Sequence, residues 1–130
     1  MEAAQEPPAH EFELRLERRI DAETGRTLLD IIVETVREFA AYGYRLDLRE
    51  RVDLAGRVLH VELGGVSLPS IATANPGRAR GVCTIVMPAD GSYALHVLRK
   101  QREATFNIDI AAGMPSPLGN RDGGFIIVVE

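Results

Sequence analysis

The chain has 130 residues and a formal net charge of -4, with 45% apolar and 26% charged residues. That is the size and composition of one ordinary globular domain, which excludes wholesale disorder, and the acidic balance disfavours a general nucleic-acid binder. A single cysteine, Cys83, excludes an intramolecular disulfide, and no apolar run reaches the roughly 20 residues that span a membrane.

Residues 1–10 contain Pro7 and Pro8 and no apolar period, so they read as a flexible tail without the features of a secretory signal. Residues 11–130 read as one domain. Phe12, Leu14, Leu16 and Ile20 alternate with charged residues, which predicts a strand with one buried face. In Thr27–Gly43, the residues Leu28, Leu29, Ile32, Val36, Phe39 and Ala40 fall at helical spacing, with Asp30, Glu34, Arg37 and Glu38 on the other side. This predicts the one helix of the chain, capped at Asp21 or Thr24 and ended by Gly43. Tyr44 to Val52 and Val58 to Leu63 alternate again around a turn at 53–57, which reads as a hairpin.

Residues 64–81 form a long irregular segment with a turn signal at Asn75-Pro76-Gly77. Val82 to Met87 is apolar and β-branched, and reads as a central strand buried on both faces. A turn at 88–91, a strand over 92–99, a charged turn at 99–102 and a strand over 103–110 follow. Residues 111–124 form a second long loop. The apolar run from Phe125 to Val129 is a last strand, expected inside the sheet or against a second subunit. The expected fold is α+β, one amphipathic helix packed on a largely antiparallel, twisted sheet of about six or seven strands.

If the strands at 57–63, 82–87, 92–99 and 103–110 form a meander, the 64–81 loop and the 99–102 turn share one end of the sheet. That end gathers Arg78, Arg80, Arg99, Lys100 and Arg102 as candidates for binding an anion or a partner, with Arg37 and Arg45 nearby. The segment NPGRARG lacks the GK[ST] of a phosphate loop, and pairing with the carboxylates of the first half is the simpler reading of its arginines. Leu68 and Ile71 in the first loop, and Met114 and Leu118 in the second, are apolar loop residues of the kind that touch another chain.

Catalytic signals are weak. Cys83, His96 and Asp109 could approach one another across strands, but three or four convergent ligands are not readable, so no metal and no cofactor is expected. His60, His96 and Cys83 read as packing groups. Asp47 with Glu62 is a carboxylate pair that could line a cleft, yet alternating charge on a strand is the pattern of a solvent face. No nucleophile elbow surrounds Ser67, Ser70 or Thr73.

These features point to a non-enzymatic binding or structural subunit in the cytoplasm. It would work through its long loops and sheet edge, as a homo-oligomer or within a larger assembly. The alternatives are a small-molecule-binding α+β roll with enzymatic activity, and a regulator sensing a small anion or nucleotide through the basic loop at 77–81.

Overall fold

The stretch from Thr27 is a strand. In the computed structural model, which describes residues 10–39, 45–67 and 77–129, no helix occurs among the described residues. The expected helix is replaced by the 13-residue strand Thr27–Phe39, while Ala40 and Gly43 lie outside the described residues. The cause is in the side chains. Thr27, Ile31, Ile32, Val33, Thr35 and Val36 are β-branched, and such residues lose rotamer freedom on a helix but fit a pleated sheet. Leu29, Ile31, Val33 and Thr35 face the interior. Leu28, Asp30, Ile32 and Glu34 face out, yet Ile32 is only 2% exposed, because Arg15 and Val82 of the two neighbouring strands flank it in register. Apolar groups on both faces blur the period of two into a spacing that mimics a helix.

Nine strands follow in chain order: β1 (Phe12–Ile20), β2 (Thr27–Phe39), β3 (Arg45–Asp53), β4 (Val58–Ser67), β5 (Gly77–Val86), β6 (Gly91–Arg99), β7 (Arg102–Ala111), β8 (Met114–Leu118) and β9 (Ile126–Val128). They form one sheet in the order β8-β7-β6-β4-β3-β5-β2-β1-β9, and β8 curls back against β1, so the sheet is a nearly closed barrel. The fold is therefore all-β rather than α+β. The sheet is mixed rather than largely antiparallel, since β1–β9, β3–β5 and β4–β6 are parallel pairs.

The expected meander is broken at β5. Its apolar length pairs with β2 from Leu28↔Val86 to Phe39↔Gly77, and β4 pairs instead with β6. Nor is the Val82–Met87 run buried on both faces. Cys83 faces inward at 5% exposure, while Val82 and Val86 face outward at 47% and 55%. The interior is filled by alternate residues of every long strand, among them Leu14, Leu29, Val61, Leu95, Phe106 and Ile108. This period-two packing is what a small barrel needs.

Part of the second long loop is β8. A tight turn links it to β7, with φ of 53° at Ala112 and 74° at Gly113, the left-handed pair a two-residue hairpin requires. The Asp90 carboxylate accepts hydrogen bonds from the N–H groups of both, at 3.0 and 3.1 Å, which ties this turn to the turn before β6.

The two ends of the sheet are closed to further strands. Pro115 and Pro117 remove alternate donors from β8. The outer side of β9 is bonded by its own approach segment, Val128 N–H to Arg121 carbonyl at 2.9 Å and Gly123 N–H to Ile126 carbonyl at 2.8 Å.

Candidate binding site

The sheet has an interior break between β3 and β5. These strands run parallel and share one paired position among the described residues, Arg45↔Arg80. Just past it the two main chains touch: a Cβ on Gly81 would fall on the Leu46 carbonyl oxygen and lie 2.8 Å from Leu48 Cγ. Glycine is required there by proximity, not by φ. Beyond Gly81 the strands part. β3 stays paired with β4 through Asp53↔Val58, and β5 stays paired with β2 through Val86↔Leu28. Their facing edges, Asp47–Asp53 and Val82–Val86, have no strand partner among the described residues. At the apex lies an open cavity of about 550 Å³ lined by Arg45, Leu46, Asp47, Leu48, Arg80, Gly81 and Val82.

The two walls differ. The β3 wall alternates charge as Arg45, Asp47, Arg49, Glu50, Arg51 and Asp53, the usual device that keeps an edge from pairing. The β5 wall, Val82-Cys83-Thr84-Ile85-Val86, carries no charge, no proline and no glycine. Thr84 is held by its neighbours: its hydroxyl donates to Asp30 Oδ1 at 2.7 Å, and Arg19 Nε donates to Asp30 Oδ2 at 2.9 Å. The Arg19 guanidinium holds the Asp30 carboxyl below the usual carboxylate range, Thr84 adding to it against the opposing pull of burial. Burial, aided by the charges of Glu50 and Asp30, pushes the Cys83 thiol up to about 12. It is a packing group with no activated nucleophilic character.

Of the basic candidates, four lie around the start of β1. Arg102 Nη1 donates to Glu11 at 2.6 Å with its guanidinium 4.9 Å from the Phe125 ring centre. Arg99 donates to the Gly64 carbonyl at 3.0 Å and lies 4.9 Å from the Phe12 ring centre. Arg78 donates to Glu13 at 2.8 Å. Arg102, with Arg99 and Lys100, draws the Glu11 carboxyl below its ordinary value. Arg80 stands apart at the seam, opposite Glu34 on one side and Arg45 on the other. Met114 and Leu118 are exposed on β8, while Leu68 and Ile71 lie outside the described residues.

The other sequence candidates form no reaction centre. Cys83 faces the interior, His96 lies beside Thr105, and Asp109 beside Ser92, so the three do not converge. The described residues hold no group of three or more His, Cys, Asp or Glu side chains placed to bind a metal ion. His60 and His96 meet edge to face at 5.5 Å, and His96 Nε2 is 2.8 Å from Glu103. Asp47 and Glu62 do line a shallow cavity of about 350 Å³, with Arg49 paired to Glu62 in register between them.

Sequence reasoning marked Arg80 but missed Gly81, Val82, Thr84 and Val86. The signal was the absence of any protecting residue in VCTIV, which reads equally as a buried central strand. No protein-family model, curated protein or solved structure matches this chain. Among the described residues no helix is long and apolar enough to cross a membrane.

Proposed function

We propose that the protein is a non-enzymatic binding subunit that takes up an extended strand of another polypeptide at the β3–β5 seam. The observation that carries this reading is the edge of β5 from Val82 to Val86, which has no strand partner among the described residues. Backbone N–H and C=O groups seek partners, and an added strand supplies them while side-chain pockets set specificity. Every other sheet boundary is blunted by proline, by a bonded flanking segment or by charge. The strand donor is a partner chain or a second copy. A cytoplasmic setting goes with this reading, because the one thiol is buried and unpaired.

Amide hydrogen exchange tests it. In dilute protein, the seam-facing amides between Val82 and Val86 should exchange fast, while those facing β2 are protected. Binding should slow the fast set. Uniform protection along β5 in dilute monomer would overturn the proposal.

A further inference from the structure

We infer that the strand taken up at the seam is the C-terminal tail of a partner protein, its terminal carboxylate held between Arg45 and Arg80. This rests on the strand-binding reading above. Arg45 and Arg80 oppose each other at the one position where β3 and β5 pair among the described residues, and like charges opposed across a ladder repel. Both are exposed, and among the described residues neither side chain makes a hydrogen bond or ion pair, Arg80 acting only at a distance on the Asp30 carboxylate. They border the apex cavity of about 550 Å³. An anion between them relieves the repulsion and accepts two guanidinium forks.

Direction selects which anion. β3 and β5 both run away from this apex. A strand added antiparallel to β5 therefore runs toward it, and its last residue arrives between the two arginines. A strand added in parallel would bring an N-terminal ammonium there, which the arginines repel. The side chains of the tail follow from the β5 wall. Inward positions meet Leu48, Cys83 and Ile85, and so take small or branched apolar residues. Outward positions lie beside Val82, Thr84 and Val86 and suit threonine or valine. Glu50, set near Cys83, disfavours an acidic residue at an inward position.

The test uses the full chain and a short fluorescent peptide of alternating threonine and valine ending in valine, as the free acid and as the carboxamide, with binding read by anisotropy. The free acid should bind on the order of tenfold tighter than the amide. Arg45→Ala and Arg80→Ala should each abolish most of that preference, bringing the affinity of the free acid down towards that of the amide. Both side chains are exposed, so their removal leaves the core intact. Equal binding of acid and amide overturns the tail inference while strand binding stands. Concentration-dependent dimerisation that protects the β5 amides and excludes both peptides overturns it in favour of a second copy. A monomer that binds neither peptide overturns it and counts against strand uptake as well.

Discussion

Gly81→Ala should loosen the barrel at the point where the seam begins. The added methyl would land on the Leu46 carbonyl oxygen, 2.8 Å from Leu48 Cγ and 3.2 Å from the Leu46 carbonyl carbon. Two of the three obstacles are main chain, so no side-chain rotation clears the space. β3 must move away by on the order of an ångström, in an interior packed as densely as a crystal. Forcing an extra methyl into such a place costs about 1–3 kcal/mol, and the rigid obstacle puts Gly81 near the upper figure. For a chain of this length each kcal/mol lowers Tm by about 4 °C, so a fall of about 10 °C is expected. Gly65→Ala is the matched control, because nothing lies within 4 Å of its would-be Cβ. It should stay within about 0.5 kcal/mol of the parent. Thermal and urea melts followed by circular dichroism measure both. If the two variants melt together, β3 and β5 do not approach as described and the apex of the seam is misplaced.

Other expectations follow from the same geometry. The Cys83 thiol, pushed up to about 12, should resist Ellman's reagent at pH 8 in the folded protein and react at once in denaturant; fast native labelling would refute its burial. Burial first, then Arg51 and His96, holds the His60 imidazole below its ordinary value of 6.5. The fold prefers the neutral ring, so stability is undiminished above the unfolded value of 6.5 and declines as pH falls through it toward the lower folded midpoint. An NMR titration giving His60 a midpoint at or above 6.5 would contradict this, and His60→Gln should flatten the decline in stability. Replacing Pro115 and Pro117 together by threonine restores donors to β8 and should promote concentration-dependent association by light scattering. An unchanged scattering profile would mean that the prolines do not guard that edge.

What was legible in the sequence was whatever depended on one face being wet. β1 and β7 could be read directly, because Phe12 and Leu14, or Phe106, Ile108 and Ile110, alternate with charged or polar residues. β2 could not, because Ile32 is covered from outside by Arg15 and Val82, a consequence of which strands stand beside it. Strand order is a property of distant partners. The sequence around Val82–Val86 describes an apolar strand, and only the placement of β3 turns it into an edge. The basic turn was placed by a meander that does not form. Arg99 reaches the end of β4 at Gly64 because β4 and β6 pair in parallel, and its neighbours Glu11 and Phe12 come from a strand distant in sequence.

The parallel pairing of β1 with β9 has a consequence for synthesis. Leu14 is buried beside Val128, so the first strand stays half-partnered until residues 126–128, more than a hundred positions on, have been made. β4 likewise waits for β6. Closing such distant pairs is slow, since loop-closure entropy is lost before any contact repays it. Throughout that delay the uncharged run at Val82–Val86 is already made and unshielded. The segment proposed to take up a partner's strand is thus also an aggregation hazard of the nascent chain, as an uncharged strand edge is while its neighbours are still unmade.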